Sequence, residues 1–205
     1  MIRPAVGQVG KLTPIDEADK NPSFYVFRAR LFEAVQRRDL AFVLGILSPN
    51  IKNSFGGDDG IEGFKKIWKP EQPESNFWNT FVRVMGLGGS FDREGRFLAP
   101  YTYGKFPNSI DSFEHGAIIG ENVRVRKEPK LDSAVVDTLS FDIVKVLDWN
   151  PNLPAGMKEK WVIVSLRDGG NGYVAGTYIR SPIDYRAGFE KKDGKWSLIF
   201  FVSGD

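Results

Sequence analysis

One histidine, no cysteine and one pair of adjacent aspartates hold most of the chemistry available to this chain. Without cysteine there is no thiol nucleophile, no disulfide and no thiolate ligand for a metal. Any Ser-His-Asp triad would have to use His115, and no Gly-x-Ser-x-Gly elbow presents a serine to it. A two-histidine metal site is impossible within one chain. His115 lies just before a β-rich segment with Glu114 beside it, and is expected as a surface or boundary residue rather than a base.

The adjacent aspartates fall in Gly56-Gly57-Asp58-Asp59-Gly60. Two metal readings are open to this loop. It has the outline of the Gly-Gly-Asp-acidic loop whose carboxylates hold magnesium in cyclic-dinucleotide synthases, but the aromatic expected after the acids is replaced by Gly60. A calcium loop needs spaced ligands and a later bidentate glutamate, which are missing. The spacing of Asp59 and Glu62 instead predicts a capping box opening a helix that carries Ile61, Phe64, Ile67 and Trp68. No metal ligand, catalytic residue or cofactor is assigned.

These residues must be positioned by elements of two kinds. From Gly120 to Pro182 the chain shows short β-rich runs, VRVR, AVVDTL, IVKVL, WVIVSL and GYVAGTYI, separated by turn formers. Five short strands without helical period predict a small closed barrel, antiparallel over Asn122 to Ile179, with Val123, Val125, Val136, Val144, Val146 and Val164 directed inward. The order of these runs resembles the bacterial SH3-like (SH3b) domain. The resemblance rests on Val123-Arg124-Val125-Arg126 followed by Pro129 and Ser133, then Val135, Val136 and Leu139. It continues through Val144, Val146 and Leu147, Trp161 with Val162 and Val164, Gly172-Tyr173-Val174, and Tyr178-Ile179. It departs from that family where Ser140-Phe141-Asp142 replaces a turn glycine, and where Asp148 to Lys160 form a long distal loop.

The remainder is helical first and β-rich last. Asn21-Pro22 reads as a cap followed by proline at the first helical position, and Phe24, Phe27, Leu31, Ala34 and Val35 recur at helical spacing. Asp39 caps a second expected helix through Leu47, ended by Ser48-Pro49-Asn50. A further helix carries Phe77, Trp78, Phe81, Val82 and Met85, followed by a hairpin turning at Arg93-Glu94-Gly95 and an aromatic patch of Phe97, Tyr101, Tyr103 and Phe106. Asp193-Gly194 marks a terminal hairpin whose second strand is apolar on both faces, with Trp196, Leu198, Phe200 and Val202 against Ile199 and Phe201. The Asp-Gly-Lys-Trp hairpin, with Arg38-Asp39 and its leucine-rich turn, is similar to the nuclear transport factor two-like α+β fold. The expected architecture is therefore α+β: residues 1–20 an extended lead, 21–113 with 184–205 a discontinuous α+β domain, and 118–182 an inserted SH3-like β-barrel.

Composition narrows the function classes. Of 205 residues, 41% are hydrophobic, enough for cores, and the net charge of +2 comes from basic and acidic residues that alternate. No clustered basic footprint points to nucleic acid. The longest apolar run, Leu40 to Leu47, is too short to span a bilayer, and MIRPAVGQVGKLTP lacks the apolar core of a signal peptide. The SH3-like resemblance implies a non-enzymatic binding protein of the bacterial periplasm or cell envelope that recognises a peptide or peptidoglycan-like ligand. On that reading Trp161, Tyr173 and Tyr178 form an aromatic groove with Trp149 on the distal loop; the alternative is that Trp161 and Tyr173 are barrel core. A rival reading places a small-molecule or catalytic pocket in the α+β domain, lined by Phe27, Leu31, Trp68 and Trp78 with Asp58 or Tyr101 as polar group. A third is a structural docking protein.

Overall fold

A computed structural model describes residues 8–154, 157 and 159–204. In chain order the elements begin with β1 (Gln8–Lys11), α1 (Pro22–Gln36), α2 (Leu40–Gly45), β2 (Leu47–Lys52), α3 (Gly60–Trp68), α4 (Phe77–Gly86), β3 (Ser90–Phe91), β4 (Phe97–Ala99) and α5 (Tyr101–Gly104). They continue with β5 (His115–Ile118), β6 (Val123–Arg126), β7 (Val135–Leu139), β8 (Asp142–Asp148), β9 (Trp161–Ser165), β10 (Asn171–Ala175), β11 (Ile179–Arg180), β12 (Arg186–Lys192) and β13 (Lys195–Val202). The fold is mixed α+β, and among the described residues no helix is long and apolar enough to cross a membrane.

Two compact units divide the chain, and each is discontinuous. The first takes the leading segment up to Pro14 and Phe106–Pro182; the second takes Ile15–Lys105 and the chain from Ile183 onward. The described part of the lead is accordingly not loose: Gln8–Lys11 pairs antiparallel with β8, and Lys11 Nζ lies 3.3 Å from the buried Asp142 carboxylate.

The second unit lays its helices on a five-stranded sheet of order β2-β13-β12-β4-β3. Asn21 caps α1 by accepting from the Ser23 and Phe24 N–H groups, and Asp39 caps α2 through the Phe42 N–H. α2 stops at Gly45, earlier than the leucine spacing predicts, because Leu47–Lys52 is drawn into the sheet as a strand parallel to β13. Pro49 is tolerated there because β2 is an edge strand. A bulge between Gly188 and Phe189 shifts the register of β12 and β13. Past it Phe201, not Phe200, joins Trp196 and Leu198 in the core. Phe24 packs on Trp196 at 4.8 Å between ring centroids, and Phe201 on Phe81 at 5.3 Å, so α1 and α4 cover the terminal hairpin.

The first unit is an antiparallel sheet. Its strands follow the path β11-β5-β8-β9-β10-β6-β7, with β1 also on β8. Val123, Val125, Val144, Val146 and Val164 are buried as the alternation requires, but Val136 is 42% exposed. β7 lies at the edge of the path and contributes Leu139 to the core in its place. No pairing among the described residues joins β7 to β8 or closes the path, so the strands form an open sheet where the sequence predicts a closed ring.

Candidate functional site

β6 alternates Val123 and Val125 into the core with Arg124 and Arg126 outward, placing both guanidinium groups on one face. β9 begins at Trp161, whose backbone faces Ala175 at the end of β10, and the Gly176 N–H donates to the Lys160 carbonyl at 2.6 Å. The chain then makes a single 3-10 turn, Gly176–Tyr178, which presents Tyr178 outward. From the β6–β7 connection comes Leu131, 65% exposed. These residues, with Glu121 and Asn122, line a cleft of about 320 Å³ in the first unit.

Trp161, Val123 and Ala175 are buried and form its floor. Tyr178, 52% exposed, and Leu131 supply apolar surface beside it. One guanidinium nitrogen of Arg126 donates to the Ser133 carbonyl at 2.7 Å, tying the β6–β7 connection to β6. Arg124 is exposed and makes neither an ion pair nor a side-chain hydrogen bond among the described residues. Such a surface can bury a ligand's apolar group on rigid aromatic faces and offer donors to an acceptor.

Of the four aromatics assigned to a groove, the structure brings together Trp161 and Tyr178. Tyr173 lies along β10, half-buried, with Arg126 and Ile163 as its strand neighbours, and is not among the cleft's lining residues. Trp149 follows β8 and packs on the core of this unit, its ring against Gly116, where an added Cβ would come within 2.8 Å of it. The distal loop between β8 and β9 includes residues 155, 156 and 158, which lie outside the described residues. Arg124, Arg126 and Leu131 carry no motif of their own; the VRVR alternation that places both arginines outward is the signal that finds two of them.

The other candidates are engaged elsewhere. His115 heads β5 with Nδ1 2.9 Å from the Asp111 carbonyl, which makes that nitrogen the protonated donor. Asp59 occupies the N-cap position of α3 but makes no side-chain cap bond, and the expected capping box does not form. Its carboxylate instead accepts from the Asn53 N–H and pairs with Lys52, while Glu62 pairs with Lys65 and Asp58 with Lys66. The aspartates thus face separate lysines, and among the described residues no group of three His, Cys, Asp or Glu side chains could hold a metal ion.

In the second unit Leu31, Trp68 and Trp78 are core residues, and Phe27 packs against the same core through Phe24, Phe189 and Trp196. Tyr101 is also buried, and desolvation pushes its phenol up to about 12. Comparison with protein-family models, with curated proteins and with solved structures found no significant match.

Proposed function

We propose that the chain is a non-enzymatic binding protein of the bacterial cell envelope. Its first unit is an open sheet of SH3-like strand order, inserted into an α+β unit of the nuclear transport factor two-like type. That sheet recognises a peptide or a peptidoglycan-like cell-wall component at the cleft containing Trp161 and Tyr178. The observation that carries this reading is the cleft itself: two aromatics from separate elements, a buried floor and exposed donors, in about 320 Å³. Aromatic faces of this kind gain contact area at small conformational cost, which suits an extended chain or a sugar. In the second unit Phe27, Leu31 and Trp78 are used in packing, and Trp68, also assigned to a small-molecule pocket, borders a cleft of about 670 Å³.

Titration of the isotopically labelled full chain with soluble peptidoglycan fragments and with a pool of short peptides tests the reading by nuclear magnetic resonance. Saturable shifts at the Trp161 indole and the Tyr178 amide are expected, abolished in Tyr178→Ala. Shifts confined to the second unit, or none with either probe, would overturn it.

A further inference from the structure

We infer that the cleft selects an extended peptide carrying a carboxylate beside an aliphatic or aromatic side chain; this rests on the cleft being a peptide-binding site. Two cationic side chains, Arg124 and Arg126, line it against one carboxylate, Glu121. Glu121 makes no ion pair with either arginine among the described residues, so neither positive charge is cancelled within the cleft. Arg30, Arg37, Arg83, Arg93 and Arg167 are likewise exposed and unpaired among the described residues, so what sets Arg124 apart is its place in a cleft, whereas Lys130 on the neighbouring connection is paired with Glu128 at 2.9 Å. Arg124, exposed on a rigid strand beside a buried tryptophan, is left for an outside acceptor.

The chemistry of that acceptor follows from the two side chains. A guanidinium presents a planar fork of donors that matches a carboxylate, and Arg126 is already oriented by its bond to the Ser133 carbonyl. Trp161, Leu131 and Tyr178 give an adjoining surface for an apolar side chain. A neutral sugar would leave the arginines without a charge to meet. An acidic peptide satisfies both halves of the cleft.

Two blocked hexapeptides test this against the full chain, one alternating Leu and Glu and its counterpart alternating Leu and Gln. The Glu peptide is expected to bind at least about tenfold more tightly, the scale of one charge-assisted hydrogen bond, and to weaken as salt is raised. Arg124→Gln should remove most of that preference by weakening the Glu peptide far more than the Gln peptide, and Arg124→Lys should retain part of it. Both variants are exposed substitutions, and their unfolding midpoints serve as the folding control. Equal binding of the two peptides, both lost in Tyr178→Ala, would overturn the acidic preference while the peptide-binding reading stands. Absence of shifts at Trp161 and Tyr178 with either peptide would overturn both. Tight binding to phosphatidylglycerol vesicles without any preference between the peptides would assign the arginines to a lipid headgroup instead and overturn the inference.

Discussion

Tyr178 and Trp161 line the same cleft, but burial sets them different tasks, and substitution should separate these. Tyr178 is 52% exposed, so Tyr178→Ala is expected to shift the unfolding midpoint little and to act on ligand affinity. Trp161 is 3% exposed, and Trp161→Ala should cost about 3–5 kcal/mol in denaturant unfolding, so its binding defect cannot be read alone. Gly172 has a stricter role: a Cβ there would fall 2.6 Å from a Val125 methyl and 3.2 Å from the Arg126 carbonyl. Gly172→Ala should therefore destabilise the first unit by about 1–3 kcal/mol through overpacking, measured by chemical denaturation.

Two titrating groups in the second unit bear on its pH range. Burial pushes Glu17 up, but Lys20, the Phe91 N–H and Lys105 outweigh it and hold the carboxyl below its ordinary 4.5. A depressed folded value means stability that is present above 4.5 and lost as pH falls through the folded value, so Glu17→Gln should flatten the acid limb of a stability–pH curve. Tyr101 runs the opposite way. Its phenol, raised by burial from 10.0 to about 12, contributes stability that is complete below 10.0 and lost as pH rises towards 12. Among the described residues its hydroxyl has no hydrogen-bond partner, so Tyr101→Phe is expected to be neutral or slightly stabilising and to extend the alkaline limit.

At the scale of elements, strands were more legible than the way they pair. The alternation in VRVR and IVKVL marks inward valines because period two leaves little choice once one face is buried. Val136 escaped the same logic because β7 has a neighbour on one side only, and the shift between Val125 and Arg126 changes which residue faces in. The face of β13 was misassigned beyond Leu198 for a related reason: a bulge moves Phe201 to the core, and nothing in the local pattern announces it. Phe141 shows the limit of turn signals. It adopts φ of +57° at a turn where glycine would be the ordinary occupant, so the turn forms without the residue that usually marks it. Caps at Asn21 and Asp39 were readable because the side chain and the bond it makes lie within three residues. The cleft was half readable. Trp161 and Tyr178 stand out by type, whereas Leu131 is placed by a connection whose path depends on Arg126 reaching the Ser133 carbonyl. Breaking that bond with Arg126→Ala is expected to raise hydrogen exchange between β6 and β7 without unfolding the sheet.

The whole molecule is threaded so that the chain passes between its two units three times, at Pro14, Lys105 and Pro182. Both units are therefore closed by segments distant in sequence, and the second depends on its last one: Trp196, Leu198 and Phe201 are core residues. Truncation after Pro182 should expose that core, seen as loss of the second unit's protected amides and as binding of a hydrophobic dye, while β5 to β11 keep theirs. Intact protection in α1 and α4 would overturn this. The threading also bears on synthesis. As the chain leaves a ribosome, the helices that bear Phe24, Phe64, Phe77 and Phe81 emerge early, yet β13, an interior strand of the sheet they cover, emerges more than a hundred residues after the last of them. Every strand of the first unit is out before it. Until β13 has emerged, then, the earlier-made helices wait with their aromatic faces uncovered, a natural target for holding chaperones, and the appearance of that strand is the event that lets the second unit close.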